Sequence, residues 1–540
     1  MAGRKQTMKN TKRIVALLAV IVCIASLIPY THAVNSYMKL WEHVPDAEPH
    51  VFGDRVYVYG SHDVFESRMC GPNYVVWSAP VDDLTNWKYE GISFDGGESG
   101  YLLAPDACQG PDGRYYIYAF GDCDQGGRGQ TFCAVSDKPE GPFEYVGPVT
   151  IDGKAQMIFD PAVLVDDDGS VYLFGGASNI WKLDPTDMRT VIEGPFQVQE
   201  KNDKDELVQI RNFQEGSSIR KVDDWYVFVY ASKHDISREW YPTTNFNNNY
   251  CNGTLEYAYS KTIYGPYTYG GVVIDNRGEK IDTGSKSGMR FSNYSGNTHG
   301  GIEQVNGQWY VFYHRQTGTD EYARQAMVAP IEVKVEEGKG GKVEISEGEY
   351  TSEGFSLEGL DPFERHSAGI ACWLTATKPV IHEYPNNKFF GSYVEASYGG
   401  EPGMSKEEAL ASKAKYDAPY NLRYNTNRVI NNTDGSIVGY KYFNFTKSYD
   451  GDYLQLLLRL IPEGIDGTIT IMADRPWESQ GGKVLGKIEL KADMPQISTE
   501  LALEIPSLAD LNGKHALFFV FSSDTKDKSI CILEDFIFRY

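Results

Sequence analysis

One phrase is written five times in the first two-thirds of the chain. A titratable residue opens it, a short strand leads to a tight turn at a Gly or an Asp pair, and a Tyr-rich strand returns. The copies are DAEPHVFGDRVYVYGS from Asp46, DACQGPDGRYYIYAF from Asp106, DPAVLVDDDGSVYLFGG from Asp160, NFQEGSSIRKVDDWYVFVYAS from Asn212, with its acid at Glu215, and HGGIEQVNGQWYVFYHR from His299. Measured between Gly53, Gly113, Gly169, Asp224 and Gly307, the spacings are 60, 56, 55 and 83 residues. A period of that size built from short strands fits propeller blades, each a four-stranded antiparallel sheet around a central channel. The long interval holds two insertions, around Thr243–Cys251 and Asn276–Asn297. Their Asn, Gly and Ser content is that of loops at a ligand-binding mouth.

Aromatics make up 13% of the chain, with 37 Tyr and 54 Gly, the usage of short strands joined by tight turns and of surfaces that stack on flat ligands. From Phe389 the texture changes to separate alternating strands, Tyr453–Leu460, Gly467–Met472, His515–Phe521 and Ile530–Phe538, the pattern of a β-sandwich. The expected fold is therefore all-β: a five-bladed β-propeller over 34–355, a connector over 356–385 and a β-sandwich (jelly roll) over 386–540. Only Ser405–Lys415 reads as a short helix.

Arg4, Lys5, Lys9, Lys12 and Arg13 precede an apolar run from Ile14 to Ile28, and Thr31-His32-Ala33 offers a cleavage site. Residues 1–33 thus read as a signal peptide of a secreted protein, with an uncleaved anchor as the alternative. Their removal takes five positive charges from a net −23, leaving −23 − 5 = −28. That balance argues against nucleic acid and anionic membranes as partners. Seven cysteines remain after Cys23, with no C-x-x-C pair. Cys70, Cys108, Cys123, Cys133 and Cys251 either pair in part or are buried thiols.

The first strand of each propeller blade lines the axis, so the five opening residues should converge. Asp46 to Tyr57, Glu215 to Tyr226 and His299 to Tyr310 are each eleven residues apart; Asp106 to Tyr116 is ten and Asp160 to Tyr172 twelve. Close carboxylates raise one another's pKa and divide into an ionised base and a protonated acid. Glycoside hydrolysis requires that pair. Capping of strand ends, or binding of a structural ion, is the competing use of the same residues.

Asp46, Phe159-Asp160-Pro161 and Gln214-Glu215-Gly216 resemble the three-acid signature of glycoside hydrolase family 43, and Ala104-Pro105-Asp106, Thr298-His299-Gly300 and Ala323-Arg324-Gln325 match as well. The resemblance covers roughly 36–355. It implies an inverting hydrolase of plant cell-wall polysaccharides or oligosaccharides that removes α-L-arabinofuranosyl or β-D-xylosyl residues. The family also holds endo-arabinanases and exo-galactanases. It further implies Asp46 as general base, Glu215 as general acid, Asp160 as modulator of the acid's pKa, and Arg324 as a grip on sugar hydroxyls. His299 would hold a central cation, calcium, through water. The family's Asp-Pro at the base is Asp46-Ala47 here, followed by Glu48-Pro49, so Glu48 competes for that role. Asp106 binds a substrate hydroxyl or caps a strand. Phe213, Trp77 and Trp240 stack on sugar or pack. The last domain resembles carbohydrate-binding module family 6. On that resemblance Glu395 and Asp535 hold a structural calcium, and Trp477 is a candidate sugar-binding aromatic. A non-catalytic carbohydrate-binding propeller is the alternative for the whole.

Overall fold

The computed structural model describes residues 34–235, 250–281, 291–294, 296–338, 340–378, 380–381, 386–399, 405–411, 427–446, 454–505 and 511–540. The proposed signal segment, Trp240 and most of the first insertion lie outside them. The described chain is all-β, with one short α-helix, Lys406–Ala411, inside the stretch expected to be helical.

Four four-stranded antiparallel sheets follow one another, each in simple sequential order. The first is Glu48–Phe52, Arg55–Tyr59, Asn73–Pro80 and Lys88–Asp95; the second is Tyr101–Gln109, Tyr115–Cys123, Gly127–Ser136 and Glu144–Pro148. The third is Ala162–Val165, Val171–Gly175, Asn179–Leu183 and Val191–Gln197; the fourth is Phe213–Val222, Trp225–Asp235, Tyr250–Ser260 and Thr268–Asp275. A fifth sheet has three strands, Ile302–Val305, Gln308–Gln316 and Arg324–Ile331.

The Tyr-rich second strands are apolar on both faces because each lies between two neighbouring sheets. Tyr57, Tyr59 and Tyr74 of the first sheet pack against Ile117, Ala119 and Phe132 of the second. Tyr116 and Tyr118 meet Val163, Leu173 and Trp181 of the third, whose Tyr172 and Phe174 meet Phe228 and Tyr230 of the fourth. Val229 and Tyr257 then pack on Val311 and Tyr313 of the fifth. The fifth returns to the first, with Tyr310, Phe312 and Val328 against Val56, Val58 and Trp77. The five first strands also touch in order, the fifth closing on the first. A parallel bridge from Ala47 to Gly300 lies at that closure.

The outermost described strand of the fifth sheet is covered by the N-terminal segment. The Asn35 amide donates to Val328 O at 2.7 Å and accepts from Val328 N–H at 3.0 Å, and Ser36 donates to Ala326 O at 2.6 Å.

The C-terminal strands form two sheets around one core. One contains Tyr393–Val394, Val429–Ile430, Cys531–Arg539, Leu454–Pro462 and Thr499–Ile505; the other contains Trp373–Thr375, Ile437–Asn444, Lys514–Ser522, Gly467–Ala473 and Lys483–Leu490. Leu454, Leu456, Leu458 and Leu460 are fully buried while the residues between them are only partly so, the period-two signature of a sheet with one inner face. They meet Ile469, Ile471, Phe519 and Phe521 of the other sheet. The expected connector is partly built into these sheets: His366–Ser367 pairs with Cys531–Arg539, and Trp373–Thr375 with Ile437–Asn444. Cys70, Cys108, Cys123, Cys133, Cys372 and Cys531 are buried thiols with no disulfide among the described residues, and Cys251's side chain is not among them.

Candidate active site

Strand register decides which opening residues meet. His50 pairs with Tyr57, Leu164 with Tyr172 and Glu303 with Tyr310. Four residues before each of these first-strand partners stand Asp46, Asp160 and His299, so all three lie at one level. In the fourth sheet, two irregularities in register between Phe213 and Ser217 insert extra residues and carry Glu215 to the same end. Such bulges re-aim side chains near active sites. Gly216, at φ +65°, lies within this bulge, and a Cβ there would come 3.2 Å from the His299 ring. In the second sheet Cys108 pairs with Tyr116, so the residue at the common level is Ala104, and Asp106 lies two residues deeper.

A cavity of about 120 Å³ opens at this level. Asp46, Asp160, Glu215, His299 and Arg324 line it, together with the apolar Leu103, Ala104, Phe159 and Met69 and with Cys70, Asn297 and Thr298. Arg324 is 2% exposed and donates from Nη1 to Asp46 Oδ1 at 3.0 Å. Its Nε and Nη2 are clasped by Asp63, each at 2.9 Å. Burial alone would push the Asp46 carboxyl up, but Arg324, then His314, His299 and Ser61, hold it below the usual carboxylate range. The Asp46 N–H donates to His314 Nδ1 at 3.3 Å, which leaves the ring proton on Nε2, facing Gly296 O at 3.4 Å. Burial and then the Arg324 charge lower His314 to about 4 although Asp46 pulls the other way, so this imidazole is neutral at working pH.

Asp160 behaves oppositely. Its Oδ2 accepts the Gly216 N–H at 3.0 Å. Burial, with the charges of Glu215 and Asp46 added, raises its carboxyl to about 7 against the pull of His299. His299 is itself raised, since Asp160, Asp46 and Glu48 outweigh its burial. The cavity thus combines Asp46, held low by a guanidinium, with Asp160, raised by burial and by the neighbouring acids.

Beneath this level lies a second cluster. Glu48 Oε2 accepts from Arg220 Nη2 at 2.8 Å and Ser218 Oγ at 3.1 Å, and its Oε1 is 3.9 Å from His299 Nε2. His50 Nε2 is 2.6 Å from Asp106 Oδ1, and Asp106 Oδ2 accepts the Val163 N–H at 2.7 Å. Glu48 is therefore held below the cavity, and Asp46 faces it.

Residues 42–337 match the family model of the glycosyl hydrolases family 43. The chain belongs to that family. A xylosidase/arabinosidase of Thermoclostridium stercorarium is 31% identical over 536 residues, 92% of this chain and 98% of that protein. Xylosidase/arabinosidase 43A of Humicola insolens is 29% identical over 50% of this chain and 86% of its own. Among solved structures, a family 43 arabinoxylan arabinofuranohydrolase from Bacillus subtilis, in complex with cellotetraose, is similar at a TM-score of 0.45 and 19% identity, covering 94% of this chain and 98% of that one.

Several expected site residues of this family 43 glycoside hydrolase are elsewhere. Asp106 does not line the cavity; fully buried with His50, it belongs to the deeper cluster. Trp77 is a core residue, 1% exposed, that donates from Nε1 to Glu42 at 2.9 Å. Phe213 stacks on Phe228 and packs on Tyr230 between the third and fourth sheets. Trp477 packs edge-on against Trp373.

The carboxylates expected to bind calcium in the C-terminal domain face arginines. Arg428 grips both Glu395 oxygens at 2.6 and 2.8 Å, and Asp535 lies 2.5 Å from Arg365 and 3.3 Å from Arg459. Those donor sets do not fit a divalent cation. At the centre, Arg220 stands on Glu48 Oε2 at 2.8 Å, and Glu48 Oε1, 3.9 Å from His299 Nε2, has no hydrogen-bond partner among the described residues. Asp63 and His314, which no repeat in the chain singles out, complete the surroundings of Asp46.

Proposed function

We propose that this hydrolase is an inverting, exo-acting enzyme that removes α-L-arabinofuranosyl or β-D-xylosyl residues from plant cell-wall polysaccharides or oligosaccharides. The observation that carries the reading is the unequal state of the acids in one cavity: Asp46 held ionised by Arg324, Asp160 raised to about 7 beside Glu215. Asp46 takes a proton from water as that water attacks the anomeric carbon. Glu215 gives a proton to the leaving oxygen. Asp160, raised to about 7 by burial and by the charges of Glu215 and Asp46, is the modulator of that acid. Arg324 has one Nη1 hydrogen left to offer a sugar hydroxyl after Asp46 and Asp63 are served.

The small cavity supports removal of single terminal sugars, and the names of the relatives support a pentose. The closed run of five packed sheets supports a five-bladed propeller, and the two C-terminal sheets on one core support a β-sandwich. We read that sandwich as a carbohydrate-binding or bracing module. The basic-then-apolar first 33 residues support export.

The test compares Glu215→Gln and Asp46→Asn on p-nitrophenyl α-L-arabinofuranoside and β-D-xyloside and on unactivated arabino- and xylo-oligosaccharides. Loss of the acid should cost about 10²–10⁴-fold on the oligosaccharides and far less on p-nitrophenyl substrates, whose leaving group needs little protonation. Loss of the base should cost both alike. Equal losses for the two variants on both substrate types would refute the assignment, and sparing of the p-nitrophenyl substrates by Asp46→Asn instead would reverse it. NMR of the first-formed anomer tests inversion, which requires the two carboxyls to stand about 6.5–9.5 Å apart.

A further inference from the structure

The deeper cluster draws on all five sheets, yet the proposed reaction uses none of its charges. The first sheet sends Glu48 and His50, the second Asp106, the third the Val163 N–H, the fourth Ser218 and Arg220, and the fifth Glu303. Within it Glu48, His50 and Asp106 place a ligand atom each within 4.8 Å of one another, the one such group of three among the described residues. Carboxylates and an imidazole at that spacing would suit a hard divalent cation.

Arg220 occupies that role instead. Its Nη2 reaches Glu48 Oε2 at 2.8 Å and Pro49 O at 2.7 Å, its Nε reaches Glu303 at 3.3 Å, and its Nη1 reaches Ile219 O at 2.9 Å. The same Nη2 is 3.5 Å from His50 Nε2. A cation seated among Glu48, His50 and Asp106 would lie against a guanidinium that cannot lose its charge. Acceptors of the kind calcium prefers, carboxylate and backbone carbonyl oxygens, are already collected around the guanidinium.

We propose that Arg220 is the channel's built-in cation: it balances the buried acids in place of a divalent ion, so the enzyme neither holds nor needs calcium, and a cation site opens only when Arg220 is removed. The influence on the reaction passes through Glu48 to His299 and on to Asp160 and Asp46, which makes Arg220 a positioning residue.

The experiment measures calcium by elemental analysis and titration calorimetry on the full-length wild type, Arg220→Ala and Arg220→Lys, with hydrolysis followed in parallel. The wild type, equilibrated with millimolar calcium and desalted, should carry no stoichiometric metal, and chelator should leave its rate unchanged. Arg220→Ala should bind about one calcium with Kd on the order of 10⁻⁴ M, lose at least about tenfold in kcat in chelator, and recover part of it on adding calcium. Arg220→Lys, which restores the charge, should bind none. Where Arg220→Ala does not fold, Arg220→Gln takes its place.

Stoichiometric calcium in the wild type, or a chelator-sensitive rate, overturns the proposal. So does a folded neutral variant that binds no cation. The binding arm does not depend on the substrate, so an inactive wild type would count against the hydrolase assignment and not against this one.

Discussion

Asp63→Asn isolates the clasp that holds Arg324 against the proposed base. Asp63 accepts four N–H groups: Arg324 N at 3.1 Å and Nε at 2.9 Å on Oδ2, and Arg324 Nη2 and Cys70 N, each at 2.9 Å, on Oδ1. An amide has one accepting oxygen, so either orientation loses two of the four and turns an NH₂ toward donors. Hydrogen bonds to ionised groups contribute about 1.5–3 kcal/mol each, so two of them come to about 3–6 kcal/mol. Arg324 keeps Asp46 as a partner, which places the expected destabilisation near the lower end, about 3 kcal/mol. Urea unfolding followed by tryptophan fluorescence reads this.

The second readout is the acid limb of kcat/KM. Asp46 is held low mainly by Arg324 against its burial. An Arg324 that drifts off lets the Asp46 carboxyl rise, and the acid limb must then move to higher pH. Stability within 1 kcal/mol of wild type, together with an unmoved acid limb, would refute the reasoning.

Other substitutions probe other parts of the site. Gly216→Ala puts a Cβ at φ +65° and 3.2 Å from His299, costing about 1–2 kcal/mol in backbone strain and lowering kcat more than it raises KM. Phe213→Leu should leave KM unchanged and lower the melting temperature, because the ring packs on Phe228; a KM effect in a fully folded variant would return Phe213 to the substrate. Asp160→Asn tests the pH linkage. An acid whose folded pKa is about 7 against an ordinary 3.8 stabilises the fold at low pH, and that contribution fades as pH rises between those values. The variant should therefore gain on wild type from pH 4 to pH 8, by up to about 4 kcal/mol, and parallel stability–pH curves would remove the shift.

Much of the site could be read from the chain because strand register is a counting problem. Asp46, Asp160 and His299 keep a fixed offset from the residue paired with their repeat's tyrosine, whereas Glu215 reaches the same end only through the bulge between Phe213 and Ser217. Asp106 misleads because its hairpin turns through Gly110–Arg114, five residues where Gly53-Asp54 are two. A longer turn raises the expected spacing, and ten residues then mean a side chain one step deeper, level with Glu48. Trp77 and Phe213 carry no mark in sequence that separates a stacking face from a packing face; only the neighbouring sheet decides. Asp63 and His314 come from the far ends of hairpins, where no period predicts what they approach. Arg220 was in plain view five residues after Glu215, but its partners Glu48 and Glu303 sit on other sheets.

The clasp between Asn35 and Val328 has a consequence for synthesis. The two residues are 293 positions apart, and at about 5–20 residues per second the ribosome needs roughly 15–60 s to deliver the second after the first. Throughout that interval the leading segment has no edge to lie on, and the first sheet lacks the neighbour that covers Val56, Val58 and Trp77. The ring can shut only after translation has passed the fifth sheet, so a nascent chain released early is left with an uncovered apolar face at each end.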